Sequence, residues 1–148
     1  MITGTLKALY IRDLTKLKQE ISLYRKEENI WRIDQDILNS AGNLCLHLIG
    51  NLNTYIGAEF GQTGYVRNRP AEFSLKDVPR QELISKIEAT ITMLDKVLSS
   101  ITADQIQREY PQVVLEGKTS TEYFLVHLAM HLSYHLGQVN YHRRLLDC

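Results

Sequence analysis

Cysteine is nearly absent from this sequence. There are two in 148 residues, Cys45 and Cys148, too few for a disulfide framework. Cys45 lies in an apolar helical stretch and reads as a small buried hydrophobe. An excess of either charge is also missing: Lys plus Arg and Asp plus Glu are 17 each, so the formal net charge is zero with neutral histidine. Nucleic-acid binders carry a basic excess or stripe. Here the basic residues cluster only as pairs (Arg25/Lys26, Arg67/Arg69, Arg143/Arg144), so no nucleic-acid partner is expected. The opening MITGTLKALYIRDLTKLKQE has neither the charge order nor the apolar centre of a signal peptide, so a cytoplasmic protein is expected. No phosphate-binding loop or dinucleotide fingerprint occurs.

Long hydrophobic runs are missing too. Ile37–Ala58 and Tyr123–His142 contain no Asp, Glu, Lys or Arg and are long enough to span a bilayer. But the first contains Asn39, Asn43, His47, Asn51 and Asn53, and the second His127, Ser133, His135, Gln138 and Asn140. So many polar groups are costly in lipid. Two helices surrounded by protein, with polar groups serving the interior, fit better.

What is present is helical periodicity. Leu6, Leu9, Tyr10, Leu14, Leu17, Ile21 and Tyr24 repeat at helical spacing and predict a first amphipathic helix. A second runs from Ile37 or Ser40 to about Glu59, where Gly61, Gly64 and Pro70 break the pattern. The loop GQTGYVRNRPAEFSLKDV that follows is long for a compact bundle, and long loops are often functional. Asp77 as cap and Pro79 in the first turn predict a third helix, with Leu83, Ile87, Ile91, Leu94, Val97 and Leu98 as its stripe. Thr102 starts a short turn that Pro111 ends, and QVVLEG reads as a short extended piece. Thr119 with Glu122 fits a capping box for a last helix running to about Leu146. Four long helices without a strand pattern predict an all-α, antiparallel four-helix bundle in one domain, residues 1–148.

Four of the five histidines fall in that last helix. His127, His131 and His135 are four residues apart and share a face, each about 40° from the next. His142 falls in the same sector about two turns further on. The second helix carries a polar line at the same spacing: Asn43, His47 and Asn51. Neutral imidazole is a good ligand for zinc, nickel, copper or iron. Two histidines at i and i+4 can grip one ion, and a third from a facing helix leaves a position open. Core histidines paired with hydroxyls and carbonyls, or a bis-histidine haem site, are the competing readings. Burying several imidazoles without partners would cost too much, which favours metal. Ser133 points about 200° away from His131, so a serine-type nucleophile is not expected.

HLAMHLSYHLGQVNYHRRLL, with its H-x3-H-x-G-Q pattern, resembles the last helix of DinB-like (DinB/YfiT) bundles. NLCLHLIGNLNTYI resembles their second helix, and the loop YVRNRPAEF resembles an uncharacterised branch of that superfamily. The likeness extends over nearly the whole chain through the order of helices. It implies that His47, His131 and His135 hold one divalent transition metal ion, zinc or nickel foremost. His127 matches a position that neighbours the ligands, and Tyr134 stands where family members often have a histidine. By resemblance a homodimer is expected. Understood members of this fold are thiol-dependent S-transferases and a maleylpyruvate isomerase, and many others carry the label metal-dependent hydrolase.

Asn43 and Asn51 could orient His47, touch substrate or bond between helices. Arg67 and Arg69 could clamp a carboxylate, or pair with Glu72 or Asp77 on a surface loop. Tyr134 is expected to pack on the first helix, and Gln138 to satisfy a backbone or loop group. No Glu or Asp adjoins the histidines in sequence to serve as a general base for hydrolysis. The expected function is therefore thiol-dependent transfer to a small electrophile, a low-molecular-weight thiol being one substrate. The alternatives are a metal-dependent hydrolase, or a non-catalytic stress-response or interaction bundle whose metal sphere is closed by His127.

Overall fold

The computed structural model describes residues 1–148. Its helices are α1 (Ile2–Leu23), α2 (Ala41–Leu52), α3 (Glu59–Gly61), α4 (Arg69–Ser74), α5 (Arg80–Ser100), α6 (Ala103–Gln107) and α7 (Thr121–Leu146). A single 3-10 stretch, Glu27–Trp31, follows α1, and a π-helical segment, Asn53–Ala58, joins α2 to α3. There are no strands, only isolated bridges. The extended piece expected at QVVLEG is irregular chain, and pairing is confined to the bridge Glu109↔Ser120.

Each long helix buries the stripe its sequence advertises. On α1, Leu6, Tyr10, Leu14, Leu17 and Ile21 are buried at spacings of three and four. On α5, Leu83, Ile87, Leu94, Val97 and Leu98 do the same. Every residue of α2 is buried, which is why its sequence carries no charge. These faces meet in one cluster of 29 buried apolar residues, a core sufficient without staples at this length. No helix is long and apolar enough to cross a membrane.

Two expected caps are displaced. The cap of α5 is Pro79, and Asp77 sits at φ +57° in the left-handed region. Val78 precedes a proline and is steered away from helical geometry, so the helix cannot begin before Pro79. The cap of α7 is Ser120, whose hydroxyl accepts from Tyr123 N. Thr119 instead offers its carbonyl to Tyr110 N.

The direction of the helices explains the long loop. Lys7 at the start of α1 meets Asp95 and Ser99 at the end of α5, so these two are antiparallel. Tyr55 lies against Phe124 and His47 against His131, so α2 is antiparallel to α7. Asn53 bonds Thr90 while Gly61 abuts Val97, so the α2–α3 rod and α5 run the same way. The chain must therefore return the length of the bundle between residues 61 and 80. That return carries α4 back along α2 and sets Arg67 and Glu72 beside His47.

Candidate metal centre

His47 lies in the middle of α2, and His131 and His135 lie one turn apart on α7. Their ring nitrogens converge: His47 Nε2 is 3.2 Å from His131 Nε2, and His135 Nε2 is 3.1 Å from the same atom. One ligand atom from each lies within 4.8 Å of the others. A tetrahedral ion with nitrogen bonds of 2.0–2.1 Å spaces its ligands roughly 3.3 Å apart. The three residues could therefore hold a metal ion.

The hydrogen bonds behind these rings decide which nitrogens carry protons. His47 Nδ1 lies 3.0 Å from Glu72 Oε1. A carboxylate only accepts, so Nδ1 carries the proton and Nε2 keeps its lone pair. Arg67 Nη2 is 3.4 Å from the same Nδ1, but it already donates to Glu72 Oε1 at 3.0 Å. His135 Nδ1 donates to Gln138 Oε1 at 2.7 Å, which likewise leaves its Nε2 bare. His131 Nδ1 is buried without a partner, and its ring is held by packing between His127 and His135. A proton on His131 Nε2 can serve one of the two lone pairs aimed at it. A cation serves all three nitrogens, and that is the chemistry this donor set fits.

Burial disfavours the charged form of His47 and His131. His131 is lowered to about 4, mainly by desolvation and then by the neighbouring His135 and His47. His47 is lowered by desolvation, against the opposing pull of Glu72. Imidazoles that resist protonation are ready ligands at neutral pH.

Glu72 is the residue that sequence reasoning missed. No acid adjoins the histidines along the chain, yet the crossover brings one to His47 in space. Glu72 is 6% exposed and is gripped by Arg67 Nε at 2.8 Å and Nη2 at 3.0 Å. The Arg67–Glu72 pair anticipated as a surface contact is therefore an inner support of the site, and Arg67 is not free to clamp a substrate. The signal was faint but present: Arg67 and Glu72 share a long loop that a short connection would have excluded. Gly50 makes the approach possible, since a Cβ there would fall 1.9 Å from Glu72 Oε2.

The remaining candidates divide. Asn43 does not face the converging nitrogens. It donates to the carbonyls of Glu72 and Leu75 at 2.9 and 2.8 Å and accepts from Lys76 Nζ, pinning α4 to α2. Asn51 is 7% exposed, its side chain forms no hydrogen bond, and it lines a cavity of about 200 Å³ beside His47 and His131. Arg69 lines the same cavity, its guanidinium over Phe73 at 5.4 Å and without a carboxylate partner. His127 stacks against Phe124 and borders this cavity, outside the converging nitrogens. Tyr134 does not pack on α1. It is 67% exposed, edge-on to His135, because position 134 turns away from the α1–α7 contact. Gln138 supports His135 of the converging group rather than a loop. His142 is a core histidine between Tyr24 Oη (2.6 Å) and the Arg32 carbonyl (2.8 Å).

Residues 8–147 match the family described as "Protein of unknown function (DUF1572)", and the chain belongs to that family. No curated protein matches this sequence. Among solved structures it is similar to the "conserved protein of locus from Enterococcus faecalis", at 16% identity and a TM-score of 0.78, over 99% of this chain and 97% of that one. At that identity the likeness speaks for the fold.

Proposed function

We propose that this DUF1572 member is a metal-dependent enzyme for small molecules, with one divalent ion, zinc or nickel, held by His47, His131 and His135. The observation that carries this reading is the convergence of three Nε2 atoms, two of them stripped of protons by Glu72 and Gln138. Such an ion, when bound, supplies positive charge that favours the anionic form of a thiol or water. His127 stands outside the ligand group and does not close the sphere, which supports an enzyme over a purely structural site.

The chain's own residues shape what can react. Glu72 holds the His47 ring in place and is fully engaged by Arg67, so it is a positioning residue. No carboxylate lines the adjoining cavity, whose walls are Tyr55, Val114, Phe124 and Leu128 with polar groups from Asn51, Arg69 and His127. That wall lacks an acid to activate water, which favours thiol-dependent transfer, the activity the DinB-like resemblance also suggests. Hydrolysis is the second reading. It is favoured by one feature, the His127 imidazole, which borders the cavity without a hydrogen-bond partner and could take a proton from water.

The test uses untagged protein. Metal analysis is expected to give close to one equivalent of transition metal per chain, and less than a tenth after supplementation would refute the site. Low-molecular-weight thiols added to the cobalt-substituted protein are expected to produce sulfur-to-cobalt absorption. Absence of that band, together with ester or amide hydrolysis that depends on His127, would award the function to the hydrolase.

A further inference from the structure

The histidine group opens on two cavities of opposite character, and both border the same two residues. One is the 200 Å³ cavity already described, with Asn51 and Arg69 in its wall. The other is an open groove of about 420 Å³ along α7, floored by Tyr123, Val126, Met130 and Tyr134. His127 and His131 line both, so a histidine of the converging group lies at the junction.

The polar cavity is built for an anion. Asn51 is more than nine-tenths buried and its side chain forms no hydrogen bond, with Oδ1 sealed away, so its Nδ2 is a free donor on the wall. Arg69 adds a cation that no carboxylate of the chain neutralises. Arg67 is spent on Glu72 and contributes field without offering a free fork. About 200 Å³ is the space of roughly seven waters, enough for a small anionic head group. The groove holds no charged side chain, and Met130 and Tyr123 are 68% and 60% exposed. Flexible and aromatic surfaces of this kind suit apolar tails of varied shape.

We propose that the substrate is amphipathic, with an acidic head on Arg69 and Asn51, an apolar tail along Met130 and Tyr134, and its reacting bond at His131 between them. This rests on the metalloenzyme reading and names the substrate class for it. For the hydrolytic reading an N-acyl amino acid has this layout, with a carboxylate, a polar bond two atoms away and an aliphatic tail. A linked pair of an acidic thiol and an apolar electrophile has it as well.

The probes are N-hexanoylglycine, N-acetylglycine (no tail) and N-methylhexanamide (no carboxylate), titrated by calorimetry. Measurements are made on metal-free and on zinc-loaded protein, with zinc content determined separately. On metal-free protein N-hexanoylglycine is expected to bind at least ten-fold more tightly than either truncated probe. Arg69→Gln should reduce it to the level of N-methylhexanamide while leaving that probe unaffected. Met130→Gln should weaken both tailed probes and leave N-acetylglycine unchanged. Equal affinity for the three probes, or an Arg69→Gln effect on all of them alike, would overturn the proposal even if the protein holds its zinc. If zinc fails to bind while the metal-free pattern holds, the two-part site stands and the metal reading falls.

Discussion

Substituting Gly50 by alanine adds one methyl group at a point where helix α2 and the Glu72 carboxylate touch. The new Cβ would lie 1.9 Å from Glu72 Oε2 and 2.6 Å from Glu72 Cδ. Ordinary carbon contacts are about 3.5 Å, so the carboxylate must retreat by more than 1 Å. The clash falls on Oε2, and the other oxygen, Oε1, sits 3.0 Å from His47 Nδ1, so moving the carboxylate as a unit is expected to lengthen that bond past hydrogen-bond range. Losing an outer partner of a metal-binding histidine typically weakens metal binding 10–100-fold, about 1.4–2.7 kcal/mol. The same change favours the helix itself, because Gly in a helix interior costs about 0.5–1 kcal/mol relative to Ala. The two effects separate in the assay. Zinc affinity, measured by competition with a chromogenic chelator, should fall 10–100-fold, while helical circular dichroism of metal-free protein is unchanged. Glu72→Gln serves as the companion variant, since it removes the charge without adding bulk, and should weaken zinc in the same range. Wild-type zinc affinity in Gly50→Ala, with the variant folded, would refute the claim that Glu72 holds His47 for a metal.

Three further outcomes follow from the same geometry. His131→Ala and His135→Ala should each abolish metal binding by elemental analysis, whereas His142→Ala should keep the metal and lower thermal stability by about 1–3 kcal/mol, because Tyr24 Oη and the Arg32 carbonyl lose their partner; metal retained in either of the first two variants would contradict the ligand set. Chelation should leave the helical circular dichroism intact, since the 29-residue core does not include the histidines, and a collapse on chelation would mark the ion as structural instead. Metal-free protein should lose stability to urea as pH falls below 6.5 towards 4: burial lowers His47, His131 and His142 in the native state, so the unfolded chain takes up protons first. A urea midpoint that stays flat over that interval would show these histidines to be solvated.

The sequence by itself determined the helices and pointed to the histidines that the structure brings together. Apolar spacing on α1 and α5 names the faces that are buried, because a helix with one greasy stripe has one stable way to lie on a core. The i, i+4 spacing fixes His131 and His135 on one face before any tertiary contact forms, since that geometry is local. His47 could be proposed from its place in a charge-free helix. What only the tertiary structure decided is whatever depends on how helices are aligned and connected. Glu72 lies 25 residues from His47 and in no shared period, so no pattern along the chain joins them. They meet because α2 and α5 run the same way and the return segment must retrace α2. Arg67 and Arg69 look equivalent in sequence and line one cavity, yet the first grips Glu72 and the second has no carboxylate partner. Asn43 and Asn51 sit on one polar line, yet α4 covers the first and leaves the second open beside the histidines. Periodicity says which side of a helix faces inward, and only packing says what it will find there.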